Sequence, residues 1–380
     1  MTDLTADAGD LAYMARALRL ARWGLFTTDP NPRVGCVLVR AGEIVGEGYH
    51  RCAGGPHAER LALAAAGEWA AGATAYVTLE PCCHQDRTPP CTDALLGAGV
   101  RRVVAAMVDP NPLVAGRGLE SLKAAGIAVQ VGVLEAEAQA LNPGFIKRMR
   151  RGVPHVRCKL AASLDGRTAM ASGESQWITS AAARRDVQFL RARSSAILTG
   201  SGTRLADDPV LNVRLGAEEL PGLEPGELVR QPLRVLVDSR FRTPIDARLL
   251  DRPGGATLIA GLEPVPPAGR RLEAAGAELY SCASRGGRVD LESLLCYLAR
   301  REINEVQVEA GPTLSGALLQ AGLVDELILY LAPHLMGDEA RGLFRLPGLT
   351  RIQDRIGLDI QDLRLVGPDL RITAIPAAAK

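Results

Sequence analysis

Apolar residues recur at helical spacing from Leu11 to about Gly24, with Arg16, Arg19 and Arg22 between them, which predicts a surface helix. The runs Val34–Arg40 and Glu43–His50 are rich in β-branched residues and separated by Ala41-Gly42. That pattern predicts a hairpin. Further along, HAERLALAAAGE reads as a helix, AYVTLE as a buried strand, CTDALLGAG as a helix ending on Gly99 and RRVVAAMV as another strand. A Pro/Gly loop, DPNPLVAGRG, follows. A helix, a short strand at Val129–Val133 and a long helix to about Met149 complete the series. Helices alternating with a mostly buried sheet define a three-layer α/β domain.

A second alternating series begins after Arg151–Pro154, with PHVRCKLAASLDGR. Its strand candidates include SAILTG, LRVLVDS, ATLIAG, AELYSC, EVQVEAG and DELILYLAP, so a second α/β domain is expected. The stretch Leu215–Gln231 is rich in Gly, Pro and Glu and reads as a surface loop. No internal repeat or low-complexity tract interrupts the chain. The domains are placed at residues 1–150 and 151–380.

Length agrees with two domains, because 380 residues exceed one ordinary core. Composition is that of a soluble globular protein, 47% hydrophobic and 23% charged. A net charge of +1 and scattered basic residues argue against a nucleic-acid partner. The one dense cluster, Lys147–Gly152, is short and reads as a solvated helix end. The N-terminal stretch lacks signal-peptide character and no apolar run reaches membrane-spanning length, so a cytoplasmic location is expected. There the eight cysteines stay reduced, and clustered ones point to metal or catalysis before disulfides.

The cluster is EPCCHQDRTPPC, Glu80–Cys91, and its counterpart upstream is His57-Ala58-Glu59 at a predicted helix start. H-x-E followed by Pro-Cys is the pattern of zinc nucleobase deaminases. One imidazole and two thiolates leave the fourth tetrahedral position of Zn²⁺ open for water. The metal lowers that water's pKa, and Glu59 can take its proton and pass it to the ring nitrogen and the departing ammonia. The spacing is unusual, because the next well-placed cysteine after Cys82 is Cys91 rather than one at position 85. Adjacent Cys83 points the other way on extended backbone, and His84 reads as a neighbour of the site. The residues alone also leave open a closed structural site of three cysteines and a histidine. Cys36, Cys52, Cys158, Cys282 and Cys296 stand singly and read as packing residues.

Beyond these motifs, NPRVGCV, PHAE, TLEPCCHQDRTPPC, DPNPLVAGRG, KLAASLDGR, SGESQWIT and VEAGPTLSGALL occur in order from about Tyr13 to Asp369. Together they resemble the bifunctional deaminase–reductase of bacterial riboflavin biosynthesis. In that family the long Cys-to-Cys spacing is normal, which favours His57, Cys82 and Cys91 as ligands. The resemblance implies a cytidine-deaminase-like N-terminal domain and a C-terminal domain similar to dihydrofolate reductase. It implies hydrolytic deamination of 2,5-diamino-6-(5-phosphoribosylamino)pyrimidin-4-one, then reduction of the ribosyl group to ribityl with NADPH. The cofactors implied are Zn²⁺ and NADPH, the partner a small-molecule phosphoribosylaminopyrimidine, and the assembly a homo-oligomer.

Residue by residue, Asn31 is either a turn residue or a hydrogen bond to the pyrimidine edge. Asp109 and Asn111 alone are turn formers, and beside the resemblance become base and ribose contacts. His50 and Arg87 are candidates for the 5′-phosphate. Asp86 and Cys83 replace the Gly and Ser of many family members, which puts the fine contacts of that loop in doubt.

For the reductase, no G-x-G-x-x-G follows a strand, so a standard Rossmann domain is not expected. VEAGPTLSGALL instead offers a strand, a turn and a helix start. Gly311, Pro312, Thr313, Leu314, Ser315, Gly316 and Ala317 are assigned to the cofactor on the strength of the resemblance. The resemblance also assigns Ala161, Trp177, Thr203, Asp207 and Ser239 to NADPH. Ser175, Arg191, Leu211, Arg214 and Glu309 go to the phosphoribosyl substrate, with Arg191 and Arg214 apt for its phosphate. The hydride acceptor, a ring-opened imine, needs a proton or a polarising group. Lys159, Asp207 and Glu309 are the ionisable candidates, and Lys159 is equally read as a strand-edge surface lysine.

Two alternatives remain from sequence. One is a monofunctional deaminase of nucleosides or tRNA with an inert second half. The other is a zinc-stabilised binding protein, which has no need of Glu59.

Overall fold

The computed structural model describes residues 7–83 and 90–377. The chain divides into two compact units: residues 1–152 with Gly216–Leu228, and Val153–Leu215 with residues 229–380. The segment Gly216–Leu228, read from sequence as a plain surface loop, groups with the first unit.

The first unit is built on a five-stranded sheet. Its elements are α1 (Ala8–Ala21), β1 (Gly35–Arg40), β2 (Glu43–Tyr49), α2 (Ala58–Ala66), β3 (Thr74–Val77), α3 (Cys91–Gly97), β4 (Arg102–Ala105), α4 (Arg117–Ala124) and β5 (Ala128–Val131). Strand order is β2-β1-β3-β4-β5, antiparallel on both sides of β1 and parallel beyond β3. The hairpin between β1 and β2 turns at Ala41 and Gly42, both with positive φ, as its sequence predicts. One sheet face packs Ala58, Ala62, Leu95, Leu119 and Leu122 from α2, α3 and α4; the other packs Met14, Ala17 and Leu18 from α1. This is the expected three-layer arrangement.

Glycines set how closely α2 lies on the sheet. A Cβ on Gly46 would sit 2.3 Å from the carbonyl oxygen of Ala62, and one on Gly48 would sit 2.5 Å from that of Ala58. Glycine on β2 facing alanine on α2 permits this approach, and His57 stands at the N-cap of the helix so packed.

The long helix expected to end near Met149 is two helices, Glu135–Leu141 and Pro143–Arg151. Pro143 has no N–H to continue the first. The side chain of Asn142 between them accepts from the Arg33 amide at 2.8 Å and donates to the Arg33 carbonyl at 2.9 Å.

The second unit is a nine-stranded sheet. Its order is Glu278–Cys282, Thr257–Leu262, Leu233–Val237, Ala196–Gly200, Glu305–Val308, His155–Ser163, Glu326–Ala332, Asp369–Pro376 and Leu358–Val366. All neighbours are parallel except the last two strands, which run antiparallel as a C-terminal hairpin. Every strand expected in this half is present; the hairpin is an addition. Helices Leu291–Arg300 and Pro312–Gln320 bury Leu294, Leu295, Leu298, Leu318 and Leu319 on one face, while Ala181–Arg193 buries Ala183, Val187 and Leu190 on the other. No helix among the described residues is long and apolar enough to cross a membrane.

Candidate active sites

In the first unit, His57 occupies the position that caps α2, yet its side chain makes no capping bond. Its Nδ1 instead lies 3.5 Å from the Cys82 sulfur and 3.4 Å from the Cys91 sulfur. Cys82 follows β3, and Cys91 is the first residue of α3, where its backbone N–H points at the Cys82 sulfur at 3.3 Å. The three ligand atoms lie within 4.8 Å of one another. Tetrahedral zinc, at about 2.3 Å from sulfur and about 2.0–2.1 Å from nitrogen, sets such S···N separations at roughly 3.6 Å. The observed spacing fits.

The donor set asks for a cation. The hydrogen bond from Cys91, and then His57 against the cost of burial, lowers the Cys82 pKa; the same bond and burial raise that of Cys91. Without a cation a second thiolate is disfavoured beside the first. Glu59, in the first turn of α2 and 3% exposed, has its pKa raised by burial and then by Cys82. A divalent cation at this point removes both conflicts.

His50 and Asn31 meet beside these groups. Asn31 Nδ2 lies 3.1 Å from His50 Nε2, and His50 Nδ1 lies 3.0 Å from the Pro56 carbonyl. The His50 ring stands edge-on to that of His57, with centroids 5.3 Å apart. Burial lowers the His50 pKa, and both ring nitrogens have partners within the protein. Asp109 is buried, and that burial pushes its carboxyl up to about 7 although it accepts the Asn111 amide at 2.8 Å. Asn111 caps the next turn by accepting from the Leu113 amide at 3.0 Å. His84, Asp86 and Arg87 lie outside the described residues. Cys83 is described, half-buried, and outside the group of three ligand atoms.

Sequence reasoning passed over Glu80. Its carboxylate is 3% exposed and accepts the amides of Asp109 at 3.0 Å, Gly116 at 2.9 Å and Gly118 at 2.8 Å. It thereby ties the loop that carries Asp109 and Asn111 to the strand end that leads into Cys82. The signal available was an acid between an apolar strand and a proline, which is too common to single out.

In the second unit a cleft of about 1030 Å³ opens along the C-terminal ends of the parallel strands. Its wall includes Ala161, Trp177, Thr203, Asp207, Ser239, Gly311, Pro312, Thr313, Leu314 and Ala317 from the cofactor expectation. Lys159, Ser175, Arg191, Leu211, Arg214 and Glu309 join them. Ser315 and Gly316 do not line it. Ser315 is fully buried with its hydroxyl donating to the Ala310 carbonyl, and a Cβ on Gly316 would sit 2.2 Å from the Arg345 carbonyl oxygen. They face the opposite side of their helix.

Lys159 is no edge residue. Its strand lies between Glu305–Val308 and Glu326–Ala332, and its ammonium sits 6.0 Å from the Tyr330 ring centroid. Burial lowers its pKa, against a raising influence from Glu309. Glu309 is held bidentately by Arg191 at 2.7 and 2.8 Å. Burial pushes its carboxyl up, but Arg191 and Lys159 outweigh that and hold it down at about 2. The remaining Arg191 nitrogen donates to the Asn212 carbonyl at 2.9 Å. Arg191 is thus bonded within the protein, while Arg214 is exposed on the cleft wall. Gly311 shows how the cleft floor admits a ligand: its amide meets Thr203 Oγ1 at 3.2 Å, and a Cβ there would find open space out to 3.9 Å.

A three-donor cation site beside a buried carboxylate, followed by a separate α/β unit with a dinucleotide-sized cleft, defines a zinc-dependent deaminase joined to a reductase. Residues 8–107 match the cytidine and deoxycytidylate deaminase zinc-binding region, and residues 154–371 match the RibD C-terminal domain. The riboflavin biosynthesis protein RibD of Escherichia coli is 56% identical over 97% of this chain and 100% of its own length; that of Haemophilus influenzae is 51% identical over 98% and 99%. A solved structure of Acinetobacter baumannii RibD superposes with a TM-score of 0.87 at 45% identity, covering 97% of this chain and 99% of that one. The Thermotoga maritima diaminohydroxyphosphoribosylaminopyrimidine deaminase/5-amino-6-(5-phosphoribosylamino)uracil reductase follows with a TM-score of 0.83 at 32% identity, covering 97% and 99%. The chain belongs to the RibD family of riboflavin biosynthesis: a bifunctional enzyme with a zinc deaminase and an NADPH-dependent reductase.

Proposed function

We propose that the first unit removes an amino group hydrolytically from 2,5-diamino-6-(5-phosphoribosylamino)pyrimidin-4-one, and that the second reduces the ribosyl group of the product. 5-Amino-6-(5-phosphoribitylamino)uracil then leaves the enzyme. The observation that carries this reading is the placement of Glu59 against a three-donor cation site. A purely structural zinc site closes with a fourth protein ligand and gains nothing from a buried carboxylate.

His57, Cys82 and Cys91 would hold the zinc, which would supply Lewis acidity and lower the pKa of the attacking water. Glu59 takes the proton from the attacking water, delivers it to the ring nitrogen, and then assists the departure of ammonia. Asn31, held by His50, offers its amide to the pyrimidine edge. Asp109 and Asn111 lie on the loop that would meet the base and ribose, and Arg87 is retained as the phosphate contact of the loop following Cys82.

NADPH, when bound, supplies the hydride for C1′ of the ring-opened imine. Residues Ala161, Trp177, Thr203, Asp207, Ser239, Gly311–Leu314 and Ala317 would hold it. Lys159 is the proton donor best supported, because burial brings its pKa down from the ordinary lysine value while Glu309 stays ionised beside it. Glu309 orients Lys159 and Arg191, Arg214 takes the substrate phosphate, and Ser175 and Leu211 line its path.

A cytoplasmic location fits eight cysteines, none of them in a disulfide. A homo-oligomer fits the outermost strand, Leu358–Val366, which exposes Leu358, Ile360, Leu363 and Leu365. The direct test is product analysis of the phosphoribosylaminopyrimidine with and without NADPH. Ammonia release without the cofactor and ribityl product only with it are expected. Absence of ammonia from zinc-replete enzyme would overturn the deaminase assignment, and absence of ribityl product the reductase assignment.

A further inference from the structure

The cleft of the second unit holds more cationic side chains than the proposed chemistry uses, and the sheet sorts them by position. Ala161 lies on His155–Ser163. Next in the sheet come Glu305–Val308, leading to Gly311, then Ala196–Gly200, leading to Thr203, then Leu233–Val237, leading to Ser239. Ser239 is therefore three strand spacings from the Ala161 strand, roughly 14 Å at about 4.8 Å per step. A dinucleotide with nicotinamide at Ala161 and pyrophosphate at Gly311 and Thr203 ends with its adenosine near Ser239.

Arg288 lines the cleft at that end. It belongs to a small hairpin, Ser284–Arg285 paired with Arg288–Val289. The hairpin is anchored: Val289 is buried, its amide donates to Ser239 Oγ at 3.4 Å, and the Gly287 amide donates to Ser284 Oγ at 2.8 Å. Arg285, in the same hairpin, faces the carboxylates of Asp290 and Glu292 at 3.8 and 3.9 Å. Arg288 forms no ion pair among the described residues. Asp290 is occupied in capping the following helix, accepting the Glu292 amide at 3.1 Å. Arg248 also lines the cleft, but outside the hairpin that meets Ser239.

We propose that Arg288, beside Ser239, binds the 2′-phosphate of the adenosine ribose and sets the preference of the reductase for NADPH over NADH. The inference rests on the reading of this cleft as the dinucleotide site. A guanidinium offers a phosphate two parallel charge-assisted hydrogen bonds, whereas the bare 2′-hydroxyl of NADH repays none of them.

Calorimetric titration of the full-length protein tests this with NADP⁺, NAD⁺, adenosine 2′,5′-bisphosphate and ADP. Deamination serves as the folding control for each variant. Wild type is expected to favour NADP⁺ and the bisphosphate. Arg288→Ala should weaken both by about 10- to 100-fold while moving NAD⁺ and ADP less than about twofold. Arg288→Lys should fall between, and Arg285→Ala should match wild type. An unchanged NADP⁺-to-NAD⁺ affinity ratio in Arg288→Ala overturns the proposal. Failure of wild type to bind NADP⁺ overturns the reading of the cleft itself.

Discussion

The two sites differ in how their chemistry is written into the chain. At the zinc site each functional atom must be of a particular kind, sulfur, imidazole nitrogen or carboxylate, and each sits at a helix start or a strand end. Such chemistry leaves a local trace. The reductase cleft draws on residues from Lys159 to Ala317 and relies on backbone amides, small residues and the order of strands in the sheet. A cofactor bound mainly by shape and backbone leaves little that any short segment shows. A site built on element identity is legible one motif at a time, while a site built on topology is legible only through the fold.

The sharpest way to break this comparison is to disable one site and assay both. Glu59→Gln should reduce deamination by about 10³- to 10⁴-fold, the upper range for a positioned acid–base group. Zinc content by atomic absorption should not change, and reduction of already deaminated substrate should continue. Loss of zinc would make Glu59 a structural residue. The counterpart is Lys159→Met, expected to lower reductase kcat by about 10²- to 10⁴-fold while deamination persists. Retained reduction would move the proton donor elsewhere in the cleft.

A second contrast lies in how each site keeps its charges. The zinc site needs an external cation, whereas Glu309 is balanced by Arg191 and Lys159 within the protein. Its carboxyl is held near 2, below the ordinary 4.5. A depressed acid contributes stability that is fully present above about pH 4.5 and is lost as pH falls through about 2. Glu309→Gln leaves Arg191 buried without its partner and should cost about 3–5 kcal/mol. Urea unfolding across pH 2 to 6 should show the gap between variant and wild type narrowing towards the acid end. A gap independent of pH would mean that the pair contributes packing rather than charge.

Much of the fold was legible because apolar periodicity and punctuation agree. The β1–β2 hairpin, the alternation in both halves and His57 at a helix start all follow from it. What escaped depended on contacts distant in sequence. The helix break at Asn142 rests on Arg33, and the hairpin of Leu358–Val366 and Asp369–Pro376 on a sheet edge offered by Glu326–Ala332. The two partners of the His50 ring, and the place of Lys159 on a strand inside the sheet, which decides between its edge and interior readings, are likewise seen only in the fold. Glu80 is the clearest instance, since its partners begin at Asp109. Glu80→Ala orphans four amides, those of Asp109, Gly116, Gly118 and Leu119, and should cost roughly 3–4 kcal/mol. It should also raise KM for deamination more than it lowers kcat. Thermal unfolding with both assays checks this, and an unchanged KM would confine Glu80 to stability.

The smallest expected effect sharpens the comparison most finely, because it separates residues adjacent in sequence. Leu314 and Ala317 line the cleft, while Ser315 is fully buried beneath the same helix with its hydroxyl bonded to the Ala310 carbonyl at 3.2 Å. Positions one apart on a helix point about 100° apart, so a segment assigned whole to a cofactor must divide between cleft and core. Ser315→Ala removes one buried hydrogen bond and should destabilise by about 1 kcal/mol, with the Kd for NADPH moving less than twofold. Fluorescence titration and urea unfolding of the same preparation read both quantities. A tenfold loss of NADPH affinity without loss of stability would bring Ser315 to the cofactor and require the helix to turn its other face to the cleft.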